Sequence, residues 1–359
     1  MLSRQAAKLL TMIALVATSS VAVAHEGAPV ADPLPQLTPD RVYALDAALE
    51  RILQEFSIPG LAVGIVEDGQ PVYMRGFGVR AVGTDQPVNA HTLFHVESIS
   101  RTLTAAAIMQ LVERGQLGLG DSIADSSTTV AQLLTRDDAG FDALAGIVER
   151  NTHRKYSEYM QTRVLAPAGM IESSFELPRA AGNVAWPHSG KVLVRRAPSY
   201  PWNEKALASA GLSASVADLT RWAALHVNRD PTLLAPASYD AMFKQQRTDE
   251  RGRTMALGWH LEHHGSEWLP SVATERRGFC SLLTLYPSQQ RAIVVLSNGE
   301  MTPAREIRGV IESILAGEAW LPPKPTLLMR SDFQWALGGL LAMSVLLLAV
   351  SLHRRRRPG

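Results

Sequence analysis

Between Phe333 and Leu352 the chain carries no charged side chain. A helix of roughly 20 such residues is long enough to span the hydrocarbon core of a bilayer. Gly338, Gly339, Ala342 and Ser344 within it are small residues that membrane helices tolerate. His353 and Arg354, Arg355, Arg356 and Arg357 follow at once. A basic cluster at a membrane boundary marks the cytoplasmic side. The expectation is one transmembrane helix over 333–352 with a basic cytoplasmic tail at 353–359. Everything before it then lies on the periplasmic side of a bacterial-type inner membrane, and that membrane is the first expected partner. Pro322, Pro323 and Pro325 suit a semi-rigid linker over 319–332.

The opposite end reads as a secretory signal over residues 1–24. Arg4 and Lys8 supply positive charge, Leu9 to Val16 the apolar stretch, and Ala22-Val23-Ala24 a small-residue cleavage site. No cysteine lies near that point, so a bound lipid is not expected. The single cysteine, Cys280, excludes an internal disulfide. The net charge of +1 gives no electrostatic reason to expect nucleic acid. Hydrophobic residues are 46% and charged residues 19% of the 359, enough to fill a large core.

Residues 25–39, rich in proline, read as an extended leader to a domain over 40–318. Leu45, Leu49, Ile52, Leu53 and Phe56 recur at helical spacing over 40–56, and Pro59-Gly60 ends the pattern. Leu61–Val66 and Val72–Phe77 are expected strands joined through Asp68-Gly69, a hairpin signature. Ile99–Arg114 returns to helical spacing and stops at Gly115. From about 121 to 253 the pattern is mostly helical, with helices expected over Phe141–Arg150, Lys155–Leu165 and Val216–Val227. Met255–Leu261, Ser281–Tyr286 and Ala292–Ser297 then read as strands, and Arg305–Leu315 as a closing helix. This order implies an α/β sheet domain with an all-helical subdomain.

Several collinear stretches resemble the serine β-lactamases of the class C type and the related penicillin-binding DD-peptidases and esterases. They are Ile58-Pro59-Gly60-Leu61-Ala62-Val63 with Glu67-Asp68-Gly69, and Thr92-Leu93-Phe94 leading to Ser98-Ile99-Ser100-Arg101-Thr102-Leu103. Pro167-Ala168-Gly169-Met170, Ser209-Ala210-Gly211-Leu212, Val216-Ala217-Asp218-Leu219, Leu257-Gly258-Trp259 and Gly278-Phe279 continue the series. The resemblance covers about 40–315. It implies a β-lactamase-like three-layer α/β/α domain with a reduced helical subdomain and a cleft between the two.

That family needs a serine nucleophile and a lysine one helical turn later, where the amine can take the hydroxyl proton. Ser98 stands at the nucleophile position, and Arg101 stands where the lysine belongs. A lysine must drop about 3 pH units from its reference value to be half neutral at pH 7, at a cost of roughly 4 kcal/mol. An arginine would have to drop about 6 or more, which lies beyond documented shifts. The change is not conservative. The resemblance also implies a tyrosine and asparagine pair, which falls at Arg136 to Asp138, and a His-x-Gly or Lys-x-Gly, which falls at Val272-Ala273-Thr274. Neither is present.

With three elements missing, the expected function is a pseudoenzyme that binds a peptidoglycan-like or other anionic ligand, or a protein partner. The alternative is a weak or altered serine hydrolase using Ser98. Ser98 itself reads either as a residual nucleophile or as a helix N-cap. Arg101 is an anion anchor or a structural partner for an acid such as Glu97. Arg276 and Arg277 are solvated turn charges or ligand contacts. Tyr200 is a packing residue or a stand-in for the missing tyrosine. Trp202, Trp222, Trp259 and Trp268 read as core or cleft-wall residues. His260, His263 and His264 lack further ligands at recognisable spacing, so no metal is expected, and no cofactor is expected either.

Overall fold

A computed structural model describes residues 37–123, 127–136, 138–176, 182–190, 194–250, 252–320, 338–340 and 343–344. The expected signal and most of the leader lie outside these residues. So does most of the apolar run 333–352, of which 338–340 and 343–344 are helical and exposed. Among the described residues no helix is long and apolar enough to cross a membrane.

The first helix, α1 (Pro39–Glu55), begins where Thr38 accepts a hydrogen bond from the Arg41 amide and Pro39 fills the first turn. It buries Leu45, Ala48, Leu49 and Ile52. The hairpin follows as β1 (Gly60–Glu67) and β2 (Gln70–Gly78). Asp68 and Gly69 both have positive φ, 49° and 72°, as a tight hairpin turn of the right twist requires. Next come α2 (Ser100–Glu113), α3 (Asp138–Thr152) and α4 (Val216–Asn228). The chain then runs through β3 (Arg247–Thr248), β4 (Thr254–Met255), β5 (His260–His264), β6 (Glu267–Arg276), β7 (Phe279–Tyr286) and β8 (Arg291–Ser297), and closes with α5 (Ala304–Ala316).

The strands form one antiparallel eight-stranded sheet in the order β2-β1-β8-β7-β6-β5-β4-β3. Alternation along β1 divides the core. Leu61, Val63 and Ile65 share a cluster with α1 and α5, whereas Ala62 and Val66 join a larger cluster with α2, α3 and α4. Helices on both faces of a central sheet make the α/β layering expected of a β-lactamase-like domain.

α2 is the pivot of the larger cluster. Residues Thr102–Leu111 are all buried, so this stretch has no solvent face and the helix reaches the surface only at its ends. The expected strand Met255–Leu261 is not continuous. It breaks at Gly258, whose φ of 82° turns the chain against α2. A Cβ there would come within 2.5 Å of the Ala105 Cβ and 3.0 Å of the Arg101 carbonyl oxygen. Only glycine fits that approach in that conformation. The break leaves His260 at the start of β5, opposite the opening of α2.

Candidate functional site

Beyond the short strand Phe94–His95 the chain makes a 3-10 turn, Glu97–Ile99, before α2 begins. The residue at the N-cap position of α2 is Ile99, and no side chain caps it. Ser98 is therefore not the helix cap, which corrects that reading of it. Ser100 ties the turn instead: its hydroxyl donates to the Glu97 carbonyl at 2.6 Å and accepts from the Leu212 amide at 3.0 Å. Ser98 is half-buried and lines an open cleft of about 490 Å³, within the range of small-molecule sites.

Arg101 enters the same cleft from the first turn of α2. Its partner is Asp138, not Glu97. The Arg101 Nη2 donates to Asp138 Oδ1, and the guanidinium carbon lies 5.2 Å from the centre of the Phe141 ring. Asp138 and Phe141 are three residues apart on α3, so one face of that helix supplies both contacts. Arg276, at the end of β6, donates from Nη1 to the other carboxylate oxygen of Asp138 at 2.9 Å. Burial alone would raise the Asp138 carboxyl, but the hydrogen bonds and positive charges of Arg276 and Arg101 outweigh it and hold it below its ordinary range.

Other walls come from residues the sequence did not single out. Arg247, Asp249, Arg253 and Met255 arrive with β3, β4 and their connection. Arg247 donates to the Thr135 carbonyl at 2.9 and 3.2 Å, and Arg253 pairs with Asp249 at 2.7 Å. Arg136 also lines the cleft, at the start of the segment where the resemblance implied a tyrosine and an asparagine. Ala273 and Thr274 of β6 form the strand wall, as the resemblance implied. In all, five guanidiniums face three carboxylates, so the cleft is net cationic. His260 is its one imidazole. Burial, then Arg253 and Arg101, push it down to about 4, so it is neutral at pH 7.

Behind the cleft lies a buried acid and imidazole. Glu97 and His95 are each 1% exposed, and His95 Nε2 stands 3.5 Å from Glu97 Oε1. Neither carboxylate oxygen and neither ring nitrogen has a hydrogen-bond partner. Burial raises the Glu97 carboxyl, with Arg277 and Arg276 opposing, and burial and Arg277 push His95 down to about 3. Glu97 also has a positive φ of 48°, in the left-handed region costly for a side chain of this size.

Arg277 and Tyr200 stand apart from the cleft lining. Arg277 sits in the β6–β7 turn with φ 54° and approaches Glu97 Oε1 at 3.9 Å. Tyr200 packs edge-on against His95 and Phe279, with its hydroxyl 3.1 Å from Ser213 Oγ. Burial raises its phenol well above the ordinary value. The structure therefore brings together Ser98, Arg101 and Arg276 and leaves Arg277 and Tyr200 outside the cleft lining. His263 and His264 are exposed on β5, and among the described residues no three or more His, Cys, Asp or Glu side chains converge as a metal site would.

A family model described as Beta-lactamase matches residues 45–136 and 137–315. Protein flp of Staphylococcus aureus strain N315 is 22% identical over 330 residues, covering 73% of this chain and 64% of that protein. The chain thus spans less than two thirds of that relative's length. Penicillin-binding protein 4 of Amycolatopsis lactamdurans is 24% identical over 345 residues, covering 75% of this chain and 90% of that protein. Among solved structures, the octameric penicillin-binding protein homologue from Pyrococcus abyssi superimposes with a TM-score of 0.69. It is 22% identical, covering 77% of this chain and 78% of that one.

Proposed function

This chain belongs to the β-lactamase family, and from that membership we propose that it is a catalytically impaired member, a membrane-anchored pseudoenzyme that binds a cell-wall-like or other anionic ligand in the Ser98 cleft. Acyl transfer through Ser98 requires a group that removes the hydroxyl proton. One helical turn on, that place is filled by a guanidinium, which keeps its proton throughout the working range of proteins. Asp138 and Phe141 hold it there from α3. This pinned guanidinium is the observation that carries the reading. The excess of guanidiniums over carboxylates around Ser98 supports an anionic ligand. A tether at 333–352 is supported by the uncharged run and the arginines after it.

Titration of the full-length chain with small anionic peptidoglycan fragments tests the ligand. Binding that R101A weakens supports the proposal; no binding at low salt would make a protein partner the better account. Deletion of residues 333–359 tests the tether, and is expected to move the chain from the membrane fraction to the soluble fraction.

A second reading, a weak or altered hydrolase using Ser98, is favoured by one observation. His260 presents an unprotonated imidazole to the same cleft. Its low basicity makes it a poor match for a proton transfer at pH 7. If Ser98 acylates at all, H260Q should abolish the reaction.

A further inference from the structure

We propose that Arg101 and Arg276 form a two-jawed clamp for a ligand carboxylate, and that Asp138 is its built-in occupant, which an arriving carboxylate must displace. The proposal rests on the anion-binding reading of the cleft and narrows it to one chemical group and one position. Two guanidiniums from different elements, the first turn of α2 and the end of β6, converge on a single carboxylate and take one oxygen each. That arrangement is how arginines recognise a planar carboxylate, and it is more selective for that shape than for a point charge.

Asp138 does not behave as a buried structural tie. Its side chain is 38% exposed, that of Arg276 is 48% exposed, and both line the cleft beside Ser98. An ion pair as open to water as Arg276–Asp138 contributes little to stability. Arg101, in contrast, is only 14% exposed and has a second contact, the Phe141 ring 5.2 Å from its guanidinium carbon, that does not involve the Asp138 carboxylate. If Asp138 swings aside, its two guanidinium partners lose their shared carboxylate in the cleft that Ser98 also lines. The other three guanidiniums of the cleft have their own ties: Arg253 pairs with Asp249, Arg247 is held by the Thr135 carbonyl, and Arg136 reaches the Thr128 hydroxyl at 3.5 Å. Arg101 and Arg276 are the pair whose shared partner is itself a carboxylate open to the cleft.

An internal occupant lowers apparent affinity by the fraction of time the clamp is free. A clamp closed nine-tenths of the time costs a ligand about tenfold. The test uses the full-length chain and N-acetylglycine as probe, with N-acetylglycinamide as the uncharged control, by titration calorimetry at low salt. D138N and D138A are expected to bind N-acetylglycine about tenfold or more tightly than the native chain, with no gain for the amide. Adding R276Q to either variant should remove the gain. Equal or weaker binding by the folded variants overturns the proposal. So does failure of both to fold, since Asp138 would then be a structural tie. The ratio of variant to native chain reads the clamp alone; the response of the native chain to wall fragments reads the broader ligand proposal separately.

Discussion

R101K gives the chain the residue type that a family-type mechanism uses one turn after the serine, yet it should be an incomplete repair. Asp138, which pairs with Arg101 in the native chain, would lie within reach of the new ammonium. Two unit charges about 4 Å apart interact by about 4 kcal/mol at an effective dielectric constant near 20. The Asp138 side chain is 38% exposed. Solvent screening therefore leaves roughly half, about 2 kcal/mol, or about 1.5 pH units in favour of the protonated amine. At pH 7 the neutral amine is then about 30-fold scarcer than without the carboxylate. R101K/D138N removes that hold and leaves Arg276, whose positive charge disfavours a second cation beside it. The assay is the rate of Ser98 labelling by p-nitrophenyl acetate, followed by intact mass, with S98A as the blank. R101K/D138N should label about 30-fold faster than R101K. Equal rates in the two variants would refute the assignment of Asp138 as the group that keeps this position protonated.

Three further outcomes follow from buried and half-buried groups elsewhere in the domain. Glu97 is buried with no hydrogen-bond partner, and its carboxyl is raised. The folded chain therefore keeps a proton that the unfolded chain releases, and stability should fall as pH rises from the unfolded value near 4.3 through the folded one. E97Q should flatten that decline and gain roughly 1–3 kcal/mol at pH 8 in urea unfolding; an unchanged pH slope would contradict it. Glu262 behaves in the opposite sense: burial raises its carboxyl, but hydrogen bonds from Arg305 and Arg308 outweigh this and lower it. Stability from that cluster is present above the unfolded value and lost as pH falls through the folded one, so E262Q should reduce the acid-side loss in the same titration. Trp222 is fully buried and donates from Nε1 to Thr102 Oγ1 at 3.0 Å; W222A should cost about 3–5 kcal/mol by the cavity it leaves, measured by equilibrium unfolding.

The features legible in the sequence were those with local causes. Asp68-Gly69 announced the hairpin because its turn chemistry is confined to two residues, and α1 was legible because one helical stripe is buried. The collinear family stretches located α2, the β6 wall and the Arg136–Asp138 segment of the cleft. What could not be read had distant causes. The strand expected over Met255–Leu261 breaks because Gly258 presses on α2, a contact no periodicity records. Ser98 looked like a helix cap because serine favours that position; a 3-10 turn delays the helix past it. Arg101 had an acid four residues away in Glu97, yet its true partner is 37 residues on, on another helix. Arg247, Arg253 and His260 reach the cleft because the short strands at the sheet edge fold back toward α2. Their polar run has no repeat that would signal this.

The most direct measurement is the intact mass of the native full-length chain after incubation with a β-lactam and, separately, with an activated ester. With a guanidinium in place of the amine one turn after Ser98, no adduct should accumulate at pH 7 with either reagent. A stoichiometric adduct that disappears in S98A, accompanied by turnover, would contradict the pseudoenzyme assignment and leave the fold untouched.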